Sequence, residues 1–261
     1  MFKAALFFIS ALLCMACGGK PQSQTATRKK PAYLWLPVCH ADSVDSYRNQ
    51  ARQGNGKAYL KLACCYHDGT GVQRDYLTME AMVALATETT GITMKEFTVK
   101  LPEDDEYRLI YTGIEAALAN DDKTAWLSHT ALESMGCDAE AEIIRYLRAD
   151  TTTNRLAAFR HFYKMASTKD CPLKQVLACL AAIDVGDYAF AILRLPRLAE
   201  VSPALWVSLG HLYNRYGAIH NDSLAAHYYA KADRLALLSP MERRWLANYR
   251  HQQKKKNNGR Q

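Results

Sequence analysis

Between Lys57 and Gly91 the chain reads KAYLKLACCYHDGTGVQRDYLTMEAMVALATETTG. Ala58, Leu62, Ala63, Cys65 and Tyr66 recur at the spacing of one helix face. Asp68-Gly69-Thr70-Gly71 interrupts that face, because glycine accepts the left-handed backbone that a helix end requires. A second apolar series begins at Asp75-Tyr76 and continues through Met79, Met82, Val83 and Ala86. The stretch predicts helix, glycine turn, helix. Two helices alone cannot hide both apolar faces, so the hairpin demands helical neighbours. No convincing strand pattern follows Val38, and Thr98-Val99 is too short to count.

The same grammar returns near the C-terminus. Leu205-Trp206-Val207-Ser208-Leu209-Gly210-His211-Leu212-Tyr213 lies over Ala58-Tyr59-Leu60-Lys61-Leu62-Ala63-Cys64-Cys65-Tyr66. Asp222 falls as far beyond Tyr213 as Asp75 does beyond Tyr66, which predicts turns of equal length. Leu224, Ala225, Tyr228, Tyr229, Lys231 and Ala232 then supply the second helix. These residues resemble the Sel-one-like repeat, a relative of the tetratricopeptide repeat. That hairpin runs alanine, Leu-Gly, Leu-Tyr, a Gly-x-Gly-Val turn, Asp, then Ala-x-x-Tyr-Tyr-x-Lys-Ala. The first copy keeps Gly69-Thr70-Gly71-Val72 and has a degenerate second helix; the last keeps Leu209-Gly210, Leu212-Tyr213 and Ala225 to Ala232 without the glycine turn. The resemblance implies an all-α fold, an α-solenoid of about four to five stacked hairpins, two of them clear. Ser239-Pro240-Met241-Glu242 opens a capping helix through Trp245, Leu246 and Tyr249.

Between the two clear hairpins the pattern is less regular. Pro102-Glu103-Asp104-Asp105 places acids at a helix start, where they suit the helix dipole. Asn120-Asp121-Asp122 caps a further helix carrying Ala125, Trp126, His129 and Leu132, and a third runs from Asp138 to Leu147. Leu156 to Ala166 resembles the second helix of a repeat. Pro172 opens another helix, and Asp187-Tyr188 opens its partner after a turn three residues shorter than in the clear repeats.

The N-terminus reads as an address. Met1-Phe2-Lys3 precedes the apolar run Ala4 to Leu13, which is shorter than the roughly 20 residues that span a bilayer. Residues 1–16 are therefore expected to be a secretory signal peptide. Leu13-Cys14-Met15-Ala16-Cys17-Gly18 looks like a bacterial lipobox with Cys17 lipidated, although Cys14 stands where leucine is usual. Ordinary cleavage after Ala16 is the alternative, and either starts the mature chain at Cys17. Residues 17–32 read as a flexible tether, 33–252 as the repeat domain and 253–261 as a disordered basic tail. Tyr33 to Val38 is apolar and is expected to dock on the first helices. The expected location is the periplasmic side of a bacterial envelope, on the inner or the outer membrane.

Charge and cysteine placement narrow the partners. The formal net charge is +7, but nine basic residues lie in the signal, tether and tail: Lys3, Lys20, Arg28, Lys29, Lys30, Lys254, Lys255, Lys256 and Arg260. Without them the body holds 24 basic against 26 acidic residues, net −2, which argues against a nucleic-acid surface. The basic tether suits anionic lipid headgroups. Beyond Cys14 and Cys17 stand Cys39, Cys64, Cys65, Cys137, Cys171 and Cys179, which an exported chain can oxidise. Small buried thiols are the simpler reading. Cys64 and Cys65 are adjacent on one helix and are not expected to pair. Cys171 and Cys179 stand about 12 Å apart if one helix carries both, too far for a bridge. Some exported relatives of this repeat carry a disulfide in each repeat, a pattern that does not transfer here; Cys137 with Cys171 is the pair to test first.

Catalytic signals are weak. The eight histidines form no HExxH, no CxxC occurs beyond Cys14-Met15-Ala16-Cys17 at the expected cleavage site, and no Gly-x-Ser-x-Gly is present. Gly69-Thr70-Gly71 lacks the Gly-Lys-Ser/Thr of a phosphate loop. No catalytic residue, metal ligand or cofactor is predicted. Two classes remain. One is an envelope-anchored module that holds a protein or peptide on the concave face of a repeat array, with Tyr59, Lys61, Trp206, Ser208 and His211 as groove candidates. Core packing is the rival reading of Tyr59 and Trp206. The other class is a peptidoglycan or β-lactam hydrolase on a helical scaffold, for which no nucleophile–base pair is legible.

Overall fold

A computed structural model describes residues 39–149 and 172–258. The expected signal peptide, Cys17, tether, Tyr33 to Val38, the helix over 156–166 and Cys171 lie outside these residues. The described chain is all-helical, with no strand. Its α-helices are α1 (Val44–Arg52), α2 (Gly56–Asp68), α3 (Tyr76–Thr90), α4 (Met94–Thr98), α5 (Glu106–Leu118), α6 (Asp122–Ser134), α7 (Asp138–Ala149), α8 (Pro172–Val185), α9 (Tyr188–Val201), α10 (Leu205–Arg215), α11 (Asp222–Arg234) and α12 (Pro240–Asn258). Short 3-10 turns occupy Ala41–Ser43 and Gly217–Ile219. Among the described residues, no helix is long and apolar enough to cross a membrane.

Local chemistry places the helix starts. Asn55, Asp75, Asp105, Asp121 and Asn221 each occupy an N-cap, where the side-chain oxygen accepts backbone N–H groups of the first turn. Asp187 makes the same bond to the amide of Phe190. Helix α2 ends on Gly69 at φ 74°, the left-handed conformation that the turn sequence predicts.

The chain divides into two compact units. One contains 94–149 and 172–194, the other 39–93 and 195–258, so α9 is shared between them at Arg194 and Leu195. In the first unit, α5 and α6 form an antiparallel hairpin and α7 packs on both. Tyr107, Ile110, Ala117, Leu132, Ile143 and Ile144 fill its interior. The connections are short: Asn120, at φ 60°, and Gly136, at φ 78°, turn the chain between successive helices.

The second unit holds both clear hairpins. Helix α2 packs on α1 and α3, and α11 packs on α10 and α12. Each hairpin is closed by one backbone bond to the equivalent tyrosine: the Asp75 amide donates to Tyr66 at 2.9 Å, and the Asn221 amide donates to Tyr213 at 2.9 Å. The turns differ by one residue, contrary to the equal lengths expected, because Asn221 rather than Asp222 caps the last hairpin. Asp222 falls in the first turn of α11, where its charge faces the helix N-terminus.

Sequence order does not set the packing order in this unit. The Ser202 hydroxyl donates to both Asp75 oxygens at 2.9 and 3.0 Å, and the Ala204 amide donates to Thr78 Oγ1 at 3.0 Å. Arg243 donates to Tyr59 Oη at 2.5 Å and to the Arg52 carbonyl. In a linear repeat array each hairpin touches only its sequence neighbours; here the first hairpin is bonded to the segment that leads into the last. Helix α12 also runs to Asn258, so residues 253–258, expected to be a disordered tail, are helical. Their exposed Lys254, Lys255 and Lys256 sit near a helix C-terminus, where cations are favoured.

Candidate functional site

All five groove candidates lie in the second unit. The structure buries three of them. Tyr59 is 3% exposed and accepts its hydrogen bond from Arg243; burial, partly opposed by that guanidinium, raises its phenol above the ordinary value. Lys61 is half-buried with its ammonium 4.8 Å from the Tyr47 ring centre. Ser208 is half-buried.

Trp206 is 5% exposed and belongs to a ring column. Trp206 and Tyr213 stand two turns apart on α10, a rise of about 10 Å. The Tyr228 ring from α11 enters that gap, 5.8 Å from Trp206 and 5.7 Å from Tyr213, with interplanar angles of 13° to each. Lys231 caps the Trp206 end at 3.8 Å and also bonds Glu200. Trp206 thus fills the seam between α10 and α11, not an open wall, which is the core alternative. Its helical phase, about 60° from Leu209, brings it to the neighbouring helix of its own hairpin.

His211 stands two residues, about 200°, beyond the core Leu209, yet it is 3% exposed. Its Nε2 lies 2.9 Å from Glu242 Oε1, and its ring meets Tyr229 edge-on. The seam that buries it is a second one, made with the start of α12. There Ser239 and Glu242 form a capping box: the Ser239 amide donates to Glu242 Oε2 at 2.7 Å, its hydroxyl donates to the same oxygen, and the Glu242 amide reaches back to Ser239 Oγ. Burial pushes the Glu242 carboxyl up, but hydrogen bonds from His211 and Ser239 outweigh it and hold the group below its ordinary value of 4.5. An ionised carboxylate only accepts, so His211 Nε2 carries a proton.

Serine, histidine and glutamate are the residue types of a hydrolytic triad, but here the carboxylate stands in the middle. A nucleophilic serine needs the imidazole as its direct proton acceptor. Ser239 instead donates to Glu242, and its hydroxyl is not activated. Among the described residues, no group of three or more His, Cys, Asp or Glu is placed to hold a metal ion. Comparisons with protein-family models, curated proteins and solved structures found no match.

The surface offers a different candidate. Trp126 and Leu127 on α6 are 52% and 53% exposed, although Ala125, Ser128 and Leu132 of the same helix are buried. The sequence places Trp126 on this helix but does not say which way it faces. Its exposure follows from phase: Ala125 occupies the inward direction, and the next two residues turn about 100° and 200° away.

Proposed function

We propose that this chain is an exported, lipid-anchored helical module that holds a protein or peptide partner in the bacterial envelope. The finer architectural reading, an array of Sel-one-like hairpins, belongs to the same proposal and is supported by the shared closing bond to Tyr66 and Tyr213. The observation that carries the binding role is the exposed Trp126–Leu127 pair. An indole that is half in water gains most from being covered, and tryptophan is enriched among side chains that dominate binding energy. Export and anchoring rest on the apolar run that ends at Ala16-Cys17. Of the five groove candidates, Lys61 and Ser208 retain the surface a partner would need.

The test uses the full chain with Cys17 intact, purified in detergent from envelope, with mass spectrometry for acyl chains on Cys17. Quantitative capture is compared between wild type and Trp126→Ala. The variant is expected to keep its melting temperature within a degree or two and to lose at least tenfold in capture of specific partners. Equal capture by both chains removes Trp126 from the site, and an unmodified mature Cys17 removes the anchor.

A further inference from the structure

Three thiols converge where the chain enters the first hairpin. Cys39 Sγ lies 3.0 Å from the Lys61 carbonyl oxygen on α2. Residues three and four places along a helix stand beside the residue they follow, and their side chains lean back over the preceding turn. For Lys61 those two residues are Cys64 and Cys65. Cys64 and Cys65 therefore flank the Cys39 sulfur, and both act on its ionisation. Cys39 is half-buried, whereas Cys64 and Cys65 are buried at 5% and 0% exposure. The sequence alone, which favours Cys137 with Cys171, does not suggest this grouping.

We propose that Cys39 and the Cys64–Cys65 pair form a redox site in which Cys39 closes a disulfide to either neighbour, fastening the start of the folded chain to α2. The bond joins residues about 25 apart in sequence, long enough for a cross-link to restrict the unfolded chain appreciably. The oxidant is a disulfide of low molecular weight or on a partner protein, RS–SR. The Cys39 thiolate attacks one of its sulfurs, forming Cys39–S–S–R and releasing RS⁻. The thiolate of Cys64 or Cys65 then attacks Cys39 Sγ and releases the second RS⁻. Two cysteine thiols are oxidised, one external disulfide becomes two thiols, and the two cysteine protons go to solvent or to the leaving thiolates. Because Cys64 and Cys65 are adjacent, either suffices as the second partner, and the one left over stays within reach of the bond.

The surroundings set the rate. Hydrogen bonding to Cys64, followed by burial, pushes the Cys39 thiol up to about 12, and its bond to Cys39 likewise raises Cys65. A thiol so far from ionised is a slow nucleophile at neutral pH in the folded chain. Closure is therefore expected during folding, or in the folded protein with a rate that climbs with pH. The physiological setting, an oxidising compartment, rests on the proposed export; the chemistry itself is tested without it.

The experiment refolds the reduced full chain in detergent with oxidised and reduced glutathione, blocks remaining thiols and maps peptides without reduction. Trypsin separates Cys39 from Cys64 and Cys65 by cutting after Arg48 and Lys61. The expected product links the two peptides. Cys64→Ser and Cys65→Ser each retain the link, whereas Cys39→Ser and the double Cys64→Ser, Cys65→Ser variant lose it. The oxidised wild type melts roughly 5–10 °C above its reduced form, a difference absent in Cys39→Ser. Complete alkylation of all three cysteines after oxidative refolding overturns the proposal, as does linkage of Cys39 to Cys137, Cys171 or Cys179. Failure of export in cells, with the link intact in the refolded chain, would count against the compartment alone.

Discussion

Two carboxylates in the second unit, Glu242 buried and Asp75 half-buried, are shifted in opposite directions. Glu242 accepts from His211 and Ser239 and is held below its ordinary value. Asp75 accepts from Ser202 and from the amides of Leu77 and Thr78, but burial outweighs these bonds and raises it above 3.8. A depressed acid adds stability above its unfolded value, and that stability disappears as pH falls through the folded value. A raised acid does the reverse: the native state holds its proton more tightly, and the ionised form costs stability above the raised value. Glu242→Gln is expected to destabilise at pH 7 by roughly 2–4 kcal/mol, since His211 loses a charged acceptor, and to flatten the loss of melting temperature below pH 4.5. Asp75→Asn keeps the cap and the bond to Ser202 without a buried charge, so its melting temperature at pH 7 should equal or exceed wild type. Melts of both variants from pH 3 to 8 check this; a marked drop for Asp75→Asn would show that the charge itself is needed.

At the scale of the element, glycine placement separates the two hairpins. Gly69 and Gly71 both have positive φ, at 74° and 70°. A Cβ on Gly69 would find its nearest neighbour at 3.6 Å, whereas on Gly71 it would meet the Ala41 backbone at 2.7 Å. Gly69→Ala is thus expected to cost about 1 kcal/mol, from backbone strain alone, and Gly71→Ala distinctly more. Urea unfolding of the two variants decides it, and equal losses would mean that the Ala41 contact yields freely. The helical Gly210 answers a different need. A Cβ there would lie 2.3 Å from the Tyr229 ring, so the glycine of Leu209-Gly210 exists to admit a tyrosine. Counted from the helix starts and the caps Asp75 and Asn221, the aligned positions of the first hairpin are Ala63 and Val83, a methyl group with a small branched side chain instead of a bare backbone with a ring. The sequence shows that each hairpin is self-consistent; the contact that explains the pairing is visible only in three dimensions.

For the molecule as a whole, the bonds from Ser202 and Ala204 to Asp75 and Thr78 tie segments more than 120 residues apart. Removing residues 195–258 is expected to unfold the first hairpin as well, and amides of α2 and α3 should exchange with those of α10 and α11 as one cooperative group. In an open array the first hairpin would survive that truncation. Hydrogen exchange on the intact and shortened chains reads the difference, and protected amides in α2 of the shortened chain would overturn it.

Helix starts, glycine turns and the recurrence of one hairpin were determined by the sequence alone. They are local: an asparagine or aspartate cap acts within three residues, a helical face repeats within four, and a left-handed position needs only its own glycine. The exposed Trp126 and the buried Trp206 are both tryptophans on amphipathic helices, and only their neighbours distinguish them. The same holds for His211, whose partner Glu242 lies 31 residues away on α12, and for Cys39, which reaches the Lys61 carbonyl beside Cys64 and Cys65 through a fold of the chain that no spacing announces. Tertiary structure decided these because one helix offers several faces of similar polarity. Which of them is covered depends on the shape and bonding of segments distant in sequence.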